Sequence, residues 1–288
     1  ATRKSFLRNH LGKGTRVRWA PVAAMTLGAV AVGLIARGIA NTQQLSVTRE
    51  TIVIPDLPTA FDGFTLLHLT DLHLRTASRW PARLLALARD LQPDCVCLTG
   101  DYIMQRGAYP RLVSLLGELA TAVENVVAVF GNADYREALL TQAQRRELAR
   151  IIPFLQNAPA AIARDGQRLW FAGVEDPHDG YAELDAALAL APPDVPIILL
   201  AHSPEIIRDT LDPHIRLILS GHTHGGQICL PGGYAPYTNI RLPQRYVAGR
   251  HQVGNAVLYV SRGIGSTRLR IRLNCGPEAT VFTLTRGG

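Results

Sequence analysis

Seven side chains able to bind a metal are spread along the 288 residues, and they share one local setting. Asp71 and His73 form a D-x-H pair, His222 and His224 an H-x-H pair, and Asp101, Asn132 and His202 stand singly. Carboxylate, imidazole and amide oxygen are the donors that hard and borderline divalent cations take. One cation uses about four protein donors, so seven predict two cations with a shared carboxylate. In each i, i+2 pair the two side chains are expected on the same side of an extended chain. Gly100, Gly131 and Gly221 each precede a candidate ligand, where a missing Cβ permits a sharp turn or a close approach. Gly225 and Gly226, after His224, would let a phosphate or a metal near the main chain, which makes Gly225, Gly226 and Gln227 candidate substrate contacts.

Two cations held close together can bind phosphoryl oxygens, lower the pKa of a bridging water to yield hydroxide, and stabilise the charge of in-line attack. The chemistry that follows is hydrolysis of a phosphate ester without a covalent protein nucleophile. Ser203 neighbours His202, but adjacent positions seldom face each other, and Ser203-Pro204 reads as a helix start. His68, inside an apolar run, reads as a core residue or as support for a ligand.

The elements that must position these groups alternate. Apolar runs of strand length at 64–69, 94–98, 126–130, 169–174, 197–200 and 215–219 are separated by helical stretches at 80–91, 110–120, 137–150, 181–190 and 205–211, with Ser78 as an N-cap and mostly strand after Gly221. The order predicts an α/β domain with its sheet covered by helices. Asp71 and His73, Asp101, Asn132 with Asp134, His202, and His222 with His224 each follow a run, so one sheet edge should gather them.

Lys and Arg number 30 and Asp and Glu 23, a net charge of +7. Residues 1–40 hold Arg3, Lys4, Arg8, Lys13, Arg16, Arg18 and Arg37 and no acid. Removing those seven leaves 23 basic against 23 acidic residues, a neutral domain, which speaks against a nucleic-acid partner unless Arg262, Arg268, Arg270 and Arg272 cluster. A basic segment followed by the uncharged run 20–36 is the layout of an export signal or membrane anchor, and Thr2–Arg8 resembles a twin-arginine signal with Lys4 in place of the second arginine. The expected division is a leader over 1–44 and a catalytic domain over 45–288. Positive charge ahead of the apolar run predicts that the domain lies outside the cytoplasm, at or beyond a bacterial inner membrane. Cys95 and Cys97 alternate on a strand and read as small buried side chains; Cys229 and Cys275 could pair if the domain is exported.

The pattern D-x-H, G-D, G-N-x-D, a later His and G-H-x-H resembles that of the calcineurin-like metallophosphoesterases across about residues 45–288. Gly221–Pro231 (GHTHGGQICLP) and Ser261–Gly265 (SRGIG) are most similar to its small bacterial, membrane-associated or exported phosphodiesterase branch. The resemblance implies two packed mixed β-sheets flanked by helices. It also implies one metal on Asp71, His73 and His224, a second on Asn132, His202 and His222, and Asp101 bridging, with Mn, Fe or Zn as the ions. Where the family has Gly-Asn-His-Asp, this chain has Gly131-Asn132-Ala133-Asp134. The histidine credited with protonating the leaving oxygen is therefore missing, a loss that general acid catalysis values at roughly 10²–10⁴ in rate.

Ala133 favours a substrate with a stable leaving group such as a pyrophosphate. That points to UDP-2,3-diacylglucosamine pyrophosphatases of lipid A synthesis, whose nucleotide-sugar substrate would place the domain on the cytoplasmic face. Alternatives are a substitute acid, with Asp134 and His178 as further catalytic candidates, or a non-catalytic membrane scaffold that keeps its metals for structure. The expected partners are a phosphoester, lipid-linked or nucleotide-sugar, and a membrane through the N-terminal segment.

Overall fold

In the computed structural model, residues 19–287 are described, and the chain divides into two compact units, residues 1–36 and 37–288. The basic residues 3–18, including the twin-arginine-like segment, lie outside the described residues. Helix α1, Trp19–Asn41, contains a 19-residue stretch, Ala23–Asn41, long and apolar enough to cross a membrane; a signal sequence near the N-terminus passes the same test. At about 1.5 Å per residue this stretch is close to the ~30 Å hydrocarbon thickness. Met25, Leu27, Val32 and Ile35 on it are exposed. The larger unit begins earlier than the expected residue 45. The Gly38 carbonyl accepts the Arg272 amide at 2.9 Å, which ties the end of α1 into the second unit.

That second unit is a four-layer sandwich. One sheet has the order β1 (Ser46–Ile54), β11 (Glu278–Arg286), β2 (Thr65–Leu69), β3 (Cys95–Thr99) and β4 (Asn125–Val129). The other runs β5 (Ala158–Arg164), β6 (Gln167–Gly173), β7 (Ile197–Leu200), β8 (Ile215–Ser220), β10 (Ala256–Val260) and β9 (Gly249–Val253). Both are mixed: β2–β3–β4 and β6–β7–β8–β10 pair parallel, whereas β11–β2, β5–β6 and β9–β10 pair antiparallel.

Strand alternation explains the layers. On β2, Leu66 faces the inter-sheet core with Phe282, Phe171, Leu200 and Leu219, and Leu67 faces helices α2 (Trp80–Leu91) and α3 (Tyr109–Ala122). On β3, Cys95 and Cys97 take the inner face and Val96 and Leu98 the outer. Burial on both faces is why these strands read as continuous apolar runs. A third cluster packs α5 (Leu184–Leu188) on the outside of the second sheet.

Helices α2 and α3 match or exceed their expected length, and the three later ones are shorter than their periodicity suggested. Helix α4 spans Gln142–Leu148, started by a capping box between Thr141 and Gln144. The stretch after His202 is a 3-10 helix, Pro204–Arg208, with the Ser203 hydroxyl accepting the Glu205 amide at 3.2 Å, so Ser203 caps a helix as its place before Pro204 indicated. Helix α2 begins at Trp80 after Arg79, and the Ser78 hydroxyl accepts the Trp80 amide at 3.3 Å.

Candidate metal centre

All seven candidate ligands leave the ends of parallel strands: Asp71 and His73 after β2, Asp101 after β3, Asn132 after β4, His202 after β7, and His222 and His224 after β8. The five loops meet where the two sheets present these ends, and Asp71, His73, Asp101, His202, His222 and His224 are all buried. The pairs converge for a different reason than an extended chain would give. Asp71 (φ 49°), His73 (40°), Asp101 (58°), His222 (69°) and His224 (53°) all adopt left-handed backbone. Each such residue costs of order 1–3 kcal/mol and persists only where its surroundings hold it. Cross-loop hydrogen bonds do so here: Asp71 N to Gly100 O (3.0 Å), His73 N to Asp101 O (2.9 Å) and His222 N to Asp71 Oδ2 (3.0 Å). At Gly131 no side chain could replace hydrogen, because a Cβ would lie 2.5 Å from Asp101 Oδ1 and 2.7 Å from His202 Nδ1.

The donor atoms face one another. Asp101 Oδ2 is 3.4 Å from His73 Nε2 and its Oδ1 is 3.5 Å from His202 Nε2, so this carboxylate looks into both halves of the site. Asp71 Oδ1 is 3.4 Å from His224 Nε2. His222 Nδ1 lies 3.1 Å from Asn132 Oδ1 and 3.3 Å from His202 Nε2. Two donors about 2.1 Å from one tetrahedral cation lie about 3.4 Å apart, which is the spacing seen. Two further observations fit cations. Asp71 Oδ1 is buried without a hydrogen-bond partner, and His73 Nε2 faces His224 Nε2 at 3.0 Å.

Burial, then neighbouring positive groups, pushes His73 down to about 3 and lowers His222 and His224 well below the usual imidazole range, so these rings are neutral, the form in which an imidazole can bind a cation. Burial pushes Asp101 up to about 6. It acts against protonation of His202, but the carboxylates of Asp101, Asp71 and Asp176 outweigh it and raise that ring to about 9. A centre that draws a proton onto His202 would draw a divalent cation more strongly. His202 Nδ1 is fixed by the Thr99 carbonyl at 2.6 Å, leaving Nε2 for the site, and His68 braces Thr99 through its hydroxyl at 2.7 Å.

The other candidates separate. Both Asp134 oxygens accept main-chain amides, of Asp101 (2.7 Å), Gly131 (2.9 Å) and Tyr102 (3.0 Å), which makes it a staple between two ligand loops. Ala133 is buried, and its amide donates to Asp101 Oδ1 at 2.8 Å. His178 reaches the site: its ring packs on His222 at 4.5 Å. Packing at Gly225 and Gly226 requires the absence of a Cβ, and Gly226 and Gln227 line an open groove. A Cβ at 225 would meet Cys275 Sγ at 2.6 Å, and one at 226 would strike Ala235. Gln227 spends its amide on the Leu269 carbonyl (2.9 Å) and the Thr267 amide (3.0 Å). Cys229 and Cys275 are free thiols beside the Gly225 carbonyl.

Sequence reasoning missed Asp176, Asn239, Glu205 and Arg272. Asp176 is buried with Oδ1 unpartnered, and Asn239 Nδ2 is 3.0 Å from His222 Nε2. Arg272, fully buried, binds the carbonyls of Arg262, Gly263 and Gly265 and lies 3.3 Å from His224 Nδ1. The late arginines do not form one basic cluster, since Arg272 is buried and Arg262 pairs with Glu278 at 3.1 Å. A cavity of about 340 Å³ beside His73 is lined by Arg75, Arg79 and Arg270.

Residues 64–226 match the family model of the calcineurin-like phosphoesterases. The chain belongs to that family. This phosphoesterase is 30% identical over 271 residues to the Bacillus subtilis metallophosphoesterase YkuE, an alignment covering 89% of the chain and 94% of its relative. It is 32% identical over 233 residues to the Escherichia coli phosphodiesterase YaeI, covering 77% and 82%. A dimetal phosphatase from Danio rerio matches 70% of the chain and 88% of its own, with 13% identity and a TM-score of 0.44. Family membership makes the protein a metal-dependent phosphoester hydrolase.

Proposed function

We propose that this phosphoesterase holds two divalent cations, one on Asp71, His73 and His224 and the other on Asn132, His202 and His222, with Asp101 shared, and hydrolyses phosphodiester or pyrophosphate bonds. The observation that carries the assignment is the two-sided Asp101 carboxylate, with His73 Nε2 at 3.4 Å from one oxygen and His202 Nε2 at 3.5 Å from the other. Two bound cations would supply charge neutralisation for the phosphoryl oxygens and an acidified water.

The chain's own groups do the rest. His202 is held in one tautomer by Thr99, the Asp134 staple fixes Asp101 against the 131–134 loop, and Arg75 and Arg270 offer positive charge to a second anionic group of the substrate. His178, oriented by Glu205, takes the place vacated at Ala133 as the hydrogen-bond donor to the leaving oxygen or the phosphoryl group.

The test is to assay purified protein, supplied separately with Mn, Zn, Co and Mg, on bis-p-nitrophenyl phosphate. Activity that Asp101→Asn and His222→Ala abolish supports the reading. Absence of activity with every metal would instead leave a metal-bearing scaffold.

A further inference from the structure

A second groove opens on the same centre, of about 540 Å³. Its inner wall is His224, whose ring stacks on His73 at 4.9 Å, and Asn239, which touches His222. Its outer wall is apolar and unusually open: Ile228 is 38% exposed, Leu269 59% and Tyr237 78%. Single exposed apolar side chains are ordinary, but three lining one concavity that ends at a reactive centre mark a binding site.

The wall is fixed before any ligand arrives. Gln227 clamps residues 267–269 through the Leu269 carbonyl and the Thr267 amide, so Leu269 is presented on a rigid loop. The loop also divides two environments. Ser266 and Arg270 face the basic cavity with Arg75 and Arg79, and Thr267 and Leu269 face the apolar groove. Polar and apolar ends of one molecule would thus be sorted to opposite sides of the metal centre. Arg272, three residues beyond Leu269, donates its amide to the Gly38 carbonyl of the same unit, which anchors the far end of this loop.

We propose that the groove takes a hydrocarbon chain carried by the substrate, making the substrate an amphiphilic phosphoester whose scissile phosphate lies between an apolar tail and an anionic head. This rests on the two-metal reading above and narrows its substrate class.

The experiment uses the full chain with alkyl p-nitrophenyl phosphates bearing methyl, butyl and octyl groups, and in parallel calorimetric binding of butyl and octyl phosphate to metal-free protein. Buried methylenes are worth up to about fourfold each. KM should therefore fall from methyl to octyl, and octyl phosphate should bind at least about tenfold tighter than butyl. Leu269→Ser and Tyr237→Ser should collapse both ratios. Leu190→Ser, an exposed leucine outside the groove, should keep them. Turnover of the methyl ester with no dependence on chain length overturns the groove assignment and leaves the phosphodiesterase reading standing. A chain-length dependence that survives in the Leu269 and Tyr237 variants also overturns it, because the tail then binds elsewhere. No turnover of any ester with any metal removes the phosphodiesterase reading and, with it, the assignment of the tail to a substrate.

Discussion

Glu205 grips His178: Oε2 lies 2.6 Å from Nδ1 of the imidazole, and the ring so held packs against His222. Glu205 is itself buried and accepts the Arg241 amide at 2.8 Å, so the pair is built into the fold. A carboxylate on Nδ1 leaves Nε2 as the working nitrogen. Replacing His178 with Ala should slow substrates with alkoxide leaving groups by about 10²–10³ and p-nitrophenyl esters much less. His178→Gln, which keeps a donor, should recover part of the loss, and Glu205→Gln should fall between. The readout is the slope of log kcat against leaving-group pKa. An equal loss across the series would reduce His178 to packing for His222.

Asp101 faces both halves of the centre, so Asp101→Asn should lower the affinity for both ions, by more than the roughly 10–100-fold that loss of an outer partner costs. Metal analysis after dialysis against a weak chelator measures it. Retention of two ions per chain would show that the carboxylate is not shared.

His202 sets the pH dependence of metal binding. In the metal-free protein its proton contributes stability that is fully present below the unfolded value of 6.5 and is lost as pH rises through about 9. A cation must displace that proton, so affinity should rise about tenfold per pH unit between pH 7 and 8.5 and level off above 9. Below pH 6, protonation of Asp101, raised to about 6, should steepen the loss. The metal-induced increase in Tm at fixed free metal follows this directly. An increase that is flat from pH 6.5 to 8.5 contradicts it.

Arg272→Met keeps an apolar stem and removes the donors that serve the carbonyls of Arg262, Gly263, Gly265 and Cys275. Each buried acceptor left alone costs about 1–3 kcal/mol. The variant should lose about 3 kcal/mol or more of stability in denaturant titration and carry less metal. A loss under about 1 kcal/mol would mean that the loop reforms without it.

Positive charge ahead of the apolar helix predicts a catalytic domain on the outer face of a membrane. Protease added to intact spheroplasts should then digest the domain. Complete protection until lysis would place it in the cytoplasm.

The candidate ligands were legible because each follows the end of an apolar run. Asp71, Asp101, Asn132, His202 and His222 are polar residues where β2, β3, β4, β7 and β8 stop. Strands β1 and β5 escaped notice, since β1 pairs with β11 from the other end of the sequence and Ala158–Arg164 is half-exposed with weak periodicity. Two packed sheets, in place of one, came from family likeness; the alternation of helix and strand is the same for either. Asp176, Asn239 and Arg272 sit in loops and Glu205 in a short 3-10 helix, where nothing local distinguishes them from solvated polar residues, and only the tertiary meeting of these segments gives them partners. The D-x-H and H-x-H spacings pointed to residues that do converge, but through a different geometry, because left-handed backbone, which periodicity does not encode, brings each pair inward.

Strand β11 lies between β1 and β2, so an interior position of the first sheet is filled by residues made after the other four strands of that sheet. Until Glu278–Arg286 is synthesised, β1 has no neighbour in that sheet and β2 has one open edge, next to the loop that bears Asp71 and His73. Nascent chains of this protein should therefore be vulnerable to strand-mediated aggregation. A truncation that removes Glu278–Arg286 should act as a whole-domain lesion, because it detaches β1 from the sheet and bares one side of β2.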